Sequence, residues 1–188
     1  MATFGPYQFG AVADSVLGDA SWVNPGNAIT DNDGYATVAV DGFEGPFISD
    51  PLDYSSAGIT EPGDADSVTS LTFEFAVKRF GSSAQIDTLQ LIVGGALVGS
   101  PHTINQAIGT TEAYVGATVS LTSFATTLTG AQAKATGFGV EVIFRGNGAS
   151  VATISVDAAR VSGVYTPSGG GGGGTGAARH HYVQQGTM

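Results

Sequence analysis

The sequence predicts an all-β protein with an antiparallel, jelly-roll-like β-sandwich, on three observations. Its composition is rich in Thr, Val, Ala, Ser and Gly and only 12% of its 188 residues are charged, which suits short strands and tight turns. Several segments alternate apolar and polar side chains with a period of two. Turn-forming clusters of Gly, Pro, Asn and Asp separate these segments without alternating helical patterns, which favours a sandwich over a βαβ sheet.

Four segments carry the clearest strand patterns. Residues 71–78 and 138–145 each alternate over eight positions, with the apolar side chains on one face. Residues 86–93 do the same before Gly94 and Gly95 end the pattern. Within residues 151–165 the alternation changes phase, which predicts a β-bulge or bend inside one long strand.

Weaker patterns complete the sandwich. They predict strands near residues 7–12, 35–40, 47–54, 97–98 and 114–121. Residues 123–134 have the length for a helix of two or three turns, although their Thr content opposes it. We therefore expect a sandwich domain over residues 1–166, a Gly-rich linker over 167–176 and a C-terminal docking arm over 177–188.

Charge and cysteine content exclude several classes of function. A net charge of −10, from 16 acidic and 6 basic residues, predicts no direct binding of nucleic acid, because that affinity depends on Lys and Arg. The chain has no cysteine for disulfides or thiolate metal sites. Its apolar runs are far shorter than the roughly 20 residues that cross a bilayer, and its start lacks a secretion signal, so we expect no membrane association and synthesis in the cytoplasm.

Catalytic chemistry finds little support in the sequence. His102 follows Pro101 in a predicted loop and is interpreted as a solvated turn residue. The Gly-x-Ser-x-Gly pattern of a nucleophile elbow does not occur. The chain is therefore predicted to be non-enzymatic and to need no cofactor.

Two acidic loops are weak candidates for a metal site. The spacing of Asp31 and Asp33 resembles the opening of a Ca²⁺ loop, but it does not continue as an EF-hand. Asp and Asn also favour such turns by bonding their own backbone, which is the preferred interpretation here. Glu61, Asp64 and Asp66 form a second acidic loop with the same interpretation.

Aromatic residues in the first third of the chain raise the alternative of glycan binding. The candidates are Trp22, Tyr35, Phe43, Phe47 and Tyr54. A lone Trp in a domain of this size is more often a core anchor. We expect a row of exposed rings if the protein binds sugar and a buried Trp22 if it does not.

The arm is the strongest candidate for docking to a partner. It carries Arg179, His180, His181, Tyr182 and Val183 behind an acidic body, a composition suited to pairing with a sheet edge or filling a groove on a neighbour. A disordered end is the alternative. Adjacent histidines in extended chain point to opposite sides, which disfavours a shared metal.

One motif resembles a known family. The residues are Trp22-Val23-Asn24-Pro25-Gly26-Asn27-Ala28, followed by Asp33-Gly34-Tyr35-Ala36. They resemble a W-x-N-P-x-N-A…D-G-x-Y-A motif in structural proteins of tailed bacteriophages, and the order of later segments fits up to residue 166. The run Lys78-Arg79-Phe80-Gly81 departs from the family, which commonly has a Pro-containing turn there.

The resemblance implies a virion structural protein without enzyme activity. It implies a β-sandwich domain used in virions, on heads or tails. Within that class we expect an accessory capsid or decoration protein, with a tail or fibre component as the alternative. A carbohydrate-binding adhesin module is a rival hypothesis of another class. Other virion proteins and further copies of this chain, arranged as a trimer, are the expected partners. Trp22, Asn24, Pro25, Asn27 and Tyr35 are expected to organise a loop, because Asn side chains cap backbone groups and Pro fixes a turn.

Overall fold

Two antiparallel sheets form the fold, which confirms the predicted β-sandwich. The structure, a computed structural model, describes residues 1–42 and 48–169. The strands are β1 (Ala2–Gln8), β2 (Ala11–Asp14), β3 (Ala36–Asp41), β4 (Leu52–Ser55), β5 (Ser67–Gly81), β6 (Ala84–Val93), β7 (Ala96–Ala107), β8 (Ala113–Ser120), β9 (Leu128–Thr129), β10 (Gly139–Gly146) and β11 (Val151–Thr166). A 3₁₀-turn covers Pro25–Ile29 and a short helix, α1, covers Gly130–Lys134. Neither is long and apolar enough to cross a membrane.

The long strand β11 organises the first sheet. On one side it pairs along most of its length with β5, which in turn pairs with β8 and β9. On its other side, its first half pairs with β3 and its second half with β1. The second sheet has the order β2-β4-β10-β6-β7. The two halves of β11 therefore face different neighbours, and the junction between them is a natural place for irregular backbone.

A continuous row of aromatic rings joins the two sheets in the core. Phe9 packs on Tyr54 and Tyr54 on Phe75, each with ring centroids 5.7 Å apart. Phe75 meets Phe144 edge-on at 6.2 Å, and Phe144 meets Trp22 edge-on at 5.5 Å. Edge-to-face contacts add to the energy of burial. The row ends at Trp22, at the corner where the chain enters the 3₁₀-turn.

The predicted change of phase in β11 is a bulge, and it falls on Asp157. Val156 lies opposite Val77 and Ala158 lies opposite Ala76, so two residues advance on β11 for one on β5. The extra residue on the bulged strand leaves the regular alternation of faces. Because Asp157 is the extra residue of the bulge, it lies between two buried residues, Val156 and Ala158, outside the in–out alternation of β11 on either side.

Strand β7 is longer than the sequence predicted. It runs over twelve residues instead of two, and His102 lies within it opposite Leu89, so the prediction of a loop at His102 was wrong. Its imidazole ring packs edge-on against Phe124 at 6.1 Å. Pro101 misled the prediction, because proline is excluded from central strands but tolerated at an edge, where β7 lies.

The predicted helix over residues 123–134 is confined to its last five residues. Thr129 and Gln132 form a capping box that starts α1. Upstream, Ser120 accepts a hydrogen bond from the Ser123 N–H at 3.3 Å and Ala125 has a positive φ of 52°. Short Ser and Thr side chains compete locally with helical hydrogen bonds, so this stretch forms turns instead.

Candidate functional site

Three carboxylates converge beside the bulge of β11. Asp31 comes from the loop before β3, Glu112 from the residue before β8, and Asp157 from the bulge itself. One oxygen from each lies within 4.8 Å of the others. We call this group the carboxylate cluster. It brings together three segments that are distant in the sequence.

Asp157 is the buried member of the carboxylate cluster, with 0% exposure. Its Oδ2 accepts hydrogen bonds from the backbone N–H groups of Asn32 at 3.0 Å and Asp33 at 3.1 Å. Its Oδ1 is buried and has no hydrogen-bond partner among the described residues. Burial raises the pKa of Asp157, the two N–H groups oppose that change, and the charges of Glu112 and Asp31 raise it further.

Tyr114 contacts Asp31, and Arg160 contacts the ring of Tyr114. The Tyr114 hydroxyl donates to Asp31 Oδ2 at 3.0 Å. The guanidinium carbon of Arg160 lies 3.7 Å from the centre of the Tyr114 ring, and Arg160 Nε donates to Glu74 Oε2 at 2.8 Å. Burial, followed by the hydrogen bond to Asp31, raises the pKa of Tyr114. The charge of Arg160 is thus shared with Glu74 and the aromatic ring.

A second tyrosine and a lysine flank Glu112. Lys78 Nζ lies 3.8 Å from the centre of the Tyr35 ring and 3.7 Å from Glu112 Oε2. The Tyr35 hydroxyl donates to Asp33 Oδ1 at 3.0 Å. Hydrogen bonding to Glu112, followed by burial and the hydrogen bond to Asp33, raises the pKa of Tyr35. Lys78 is therefore the cation nearest to Glu112 among its described contacts.

The donor set of the carboxylate cluster is made of oxygen atoms alone, which suits a hard divalent cation. Of the two residues that the sequence offered as weak metal candidates, Asp31 belongs to the cluster, whereas Asp33 contributes its N–H to Asp157 and its carboxylate to Tyr35. The sequence pattern indicated neither Glu112 nor Asp157 as a site residue. The predicted bulge was the signal that could have drawn attention to Asp157.

The segments of residues 22–28 and 33–36 form a corner next to the cluster. Trp22 Nε1 donates to the buried carbonyl of Asp50 at 2.7 Å. Asn24 precedes the 3₁₀-turn in the left-handed conformation, with φ 55°. Asn27 Nδ2 donates to the carbonyl of Tyr35 at 3.3 Å and so links the two halves of the motif. These contacts hold backbone in place.

The aromatic candidates for glycan binding do not form an open row where the structure describes them. Trp22 is 6% exposed and Tyr54 is 0% exposed, and both belong to the core. Tyr35 lies beneath Lys78. Phe43 and Phe47 lie outside the described residues.

The second acidic loop is tied to its surroundings. Asp66 Oδ2 accepts from the N–H of Gly63 at 2.6 Å, and Oδ1 accepts from the N–H of Ser168 at 2.7 Å. Asp64 forms an ion pair with Lys134, and Glu61 accepts a hydrogen bond from the hydroxyl of Tyr7. The contact of Asp66 with Ser168 joins the start of β5 to the end of β11, and the other two contacts tie the loop to α1 and β1.

The predicted docking residues lie outside the described part of the chain. They are Arg179, His180, His181, Tyr182 and Val183. The same holds for the linker beyond Gly169. Docking by the arm stays a prediction.

A pair of acidic residues lies on the outer face of the second sheet. Asp53 of β4 is directly opposite Glu141 of β10, and each alternates with core residues of its strand. Burial raises the pKa of both, and the charge of Asp53 raises that of Glu141 further. Asp53 also borders a cavity of about 230 Å³, whose other walls include Ile92 and Gly137. In the sequence these acids looked like ordinary outward-facing strand residues.

Together, fold and site define the class as an antiparallel β-sandwich with an acidic cluster at one corner. No protein-family model and no curated protein matches the chain. Among solved structures, it is similar to the CBM22-1 and GH10 modules of endo-1,4-β-D-xylanase 10B from Clostridium thermocellum, complexed with xylohexaose, at a TM-score of 0.39 and 10% identity. That match covers 85% of this chain and 29% of the other, so this chain spans less than a third of that protein's length.

Proposed function

We propose that this chain is a non-enzymatic structural protein of a tailed-phage virion, an accessory capsid or decoration protein on the particle surface. The observation that carries the proposal is the W-x-N-P-x-N-A…D-G-x-Y-A motif, which resembles one in structural proteins of such phages. In this proposal the protein acts mechanically, and its partners are capsid subunits and further copies of itself.

The contacts of the motif support an architectural role. Trp22 is buried, and its single donor, Nε1, donates to the carbonyl of Asp50. The amide nitrogen of Asn27 donates to the carbonyl of Tyr35. Side chains committed to their own backbone are poor candidates for catalysis or for stacking on a sugar. The buried ring of Trp22 is therefore a poor platform for a sugar.

Attachment is proposed to use the arm over residues 177–188. Ser168 donates to Asp66 through both its N–H and its hydroxyl, so the end of the described chain is held beside the start of β5. A tethered second contact raises apparent affinity through effective concentration, without a large single interface. The basic and aromatic residues of the arm, around Tyr182, supply a contact different in character from the acidic body.

Binding to phage particles tests the proposal. Particles of the phage that encodes this chain, assembled without it, are mixed with the full chain, with a chain ending at Gly169, and with a full-length Tyr182→Ala variant, and are then sedimented. We expect the full chain to co-sediment, the truncated chain to bind at least tenfold more weakly, and Tyr182→Ala to fall between them. Equal binding of all three would refute the docking role of the arm.

The place on the particle needs a separate measurement. Gold-labelled antibody against the sandwich is expected to decorate heads in electron micrographs. Label on tails alone would replace the capsid assignment with the tail alternative. A full chain that binds neither heads nor tails would refute the virion proposal itself.

A further inference from the structure

We propose that the carboxylate cluster of Asp31, Glu112 and Asp157 binds Ca²⁺, and that the ion fastens the loop before β3 and the segment before β8 onto β11. This inference does not depend on the proposed virion role. Asp31 lies between the two halves of the W-x-N-P-x-N-A…D-G-x-Y-A motif, and Glu112 and Asp157 lie outside it.

The surroundings of Asp157 support a bound cation. Its Oδ2 already accepts hydrogen bonds from two backbone N–H groups, which fixes the orientation of the carboxylate. Its Oδ1 is buried, in a residue with 0% exposure, and has no hydrogen-bond partner in the part of the chain that the structure describes. Buried polar atoms without a partner are rare in native proteins and call for an explanation such as a bound ion. A cation contacting Oδ1 supplies that missing interaction.

The spacing of the donor atoms also fits a bound Ca²⁺. Ca²⁺ binds oxygen ligands at about 2.3–2.6 Å, so two ligands on opposite sides of one ion lie up to about 5 Å apart. The three carboxylates offer oxygens within 4.8 Å of one another, which fits that span. Mg²⁺ binds at about 2.0–2.1 Å and demands octahedral geometry, so it would require the three segments to draw closer. The spacing therefore favours Ca²⁺.

The net charge of the cluster also favours a divalent cation. Three carboxylates meet in the cluster, and within residues 1–42 and 48–169 Lys78, at 3.7 Å from Glu112 Oε2, is the basic group that contacts them. Three negative charges and one positive charge leave two negative charges, which a divalent ion neutralises. Arg160 lies over the Tyr114 ring and is already paired with Glu74.

Terbium luminescence and thermal unfolding test the proposal on the full chain after treatment with EGTA. Tyr114 donates to Asp31 Oδ2, so a bound Tb³⁺ would lie near enough to be sensitised by tyrosine excitation. We expect sensitised emission that Ca²⁺ displaces at much lower concentration than Mg²⁺. We also expect Ca²⁺, at a hundredfold excess over its Kd, to raise the Tm by about 5–10 °C.

Two variants and a control make the assignment specific. Asp31→Asn, at an exposed residue, and Glu112→Gln should each weaken Tb³⁺ binding at least tenfold and remove most of the Ca²⁺-dependent rise in Tm. Asp64→Asn, in the other acidic loop, should leave both signals unchanged. Asp31→Asn carries the test even if variants of the buried Asp157 fail to fold. Wild-type affinity in Asp31→Asn, or a wild-type chain that gives neither signal, would overturn the proposal and leave Lys78 as the counter-ion of the cluster.

Discussion

Trp22 stabilises its corner of the sandwich both by packing and by a directed hydrogen bond. Its ring ends the aromatic row at Phe144, and its Nε1 donates to the carbonyl of Asp50 at 2.7 Å. A buried carbonyl without a donor costs free energy, so replacing Trp22 by a smaller aromatic ring removes both the hydrogen bond and part of the packing.

We expect Trp22→Phe to lower the free energy of unfolding by about 2–4 kcal/mol, because the Asp50 carbonyl loses its donor and the smaller ring leaves a cavity. Urea denaturation followed by circular dichroism measures the change. Phe80→Leu is the matched control, since Phe80 is 82% exposed and its loss should cost less than about 0.5 kcal/mol. Equal costs for both variants would contradict the role of Trp22 as an anchor.

The sequence could predict that Trp22 is a core residue but could not predict its partner. A single Trp in a domain of this size is ordinarily an anchor. The carbonyl of Asp50 lies 28 residues further on and becomes adjacent only when β4 joins the second sheet. The same limit applies to Asp157, whose side chain could be placed only after its bulge was located.

At the scale of elements, strands buried on one face were predictable and the edge strand was not. Period-two alternation located β5 and β10, and its change of phase located the bulge of β11. Strand β7 is exposed along most of its length, so no burial requirement imposes alternation on its sequence. It also contains Gly99 and Pro101, which ordinarily indicate turns.

Strand β5 can pair closely with β8 because position 116 of β8 is a glycine. A Cβ at this position would overlap the carbonyl oxygen of Phe73 on β5. We expect Gly116→Ala to lower the free energy of unfolding by about 1–3 kcal/mol, as overpacking does elsewhere. Gly26→Ala is the control, because a Cβ there would meet no atom within 4 Å. Urea denaturation of both variants measures the difference, and equal stability would contradict the predicted overlap.

The pairing of β4 with β10 places Asp53 opposite Glu141 and makes stability depend on pH. The pKa of each is raised in the folded protein, so the fold binds these protons more tightly than the unfolded chain does. The stabilising contribution is complete below the ordinary carboxyl pKa of about 4, and it is lost as pH rises through the folded-state values.

Glu141→Gln removes one charge of this pair. We expect it to raise the Tm at pH 7 by about 2–4 °C relative to wild type and to lose that advantage as the pH falls toward about 4, because the raised pKa values favour protonation of the wild-type pair there. Differential scanning fluorimetry across this range measures the effect. Asp14→Asn, at an exposed position on β2 of the same sheet, should give no such trend. A constant difference between pH 4 and pH 7 for Glu141→Gln would show that ionisation is not its cause.

Across the described chain as a whole, the residues just after the last strand, β11, bond to the residue just before β5. Ser168, two residues after β11, donates its N–H and its hydroxyl to Asp66 at the start of β5, at 2.7 and 3.1 Å. The sequence predicted an acidic loop at residues 61–66 and a domain end near 166, but nothing in either pattern indicated that they meet. Their contact follows from the antiparallel register of β11 and β5, which brings Thr166 opposite Ser67.

The contact between Ser168 and Asp66 predicts that stability depends on pH with a sign opposite to that of the Asp53–Glu141 pair. The backbone N–H of Ser168 is the main cause of the lowered pKa of Asp66, so the contact stabilises the fold above the ordinary carboxyl pKa of about 4 and is lost as pH falls through the lowered value. Ser168→Pro removes both donors and should lower the Tm at pH 7 more than Ser168→Ala, which removes the hydroxyl alone. Scanning calorimetry should show the gap between these variants closing below about pH 4. In an Asp66→Asn background the ionisable partner is gone, and a gap that still varied with pH there would assign the effect to another group.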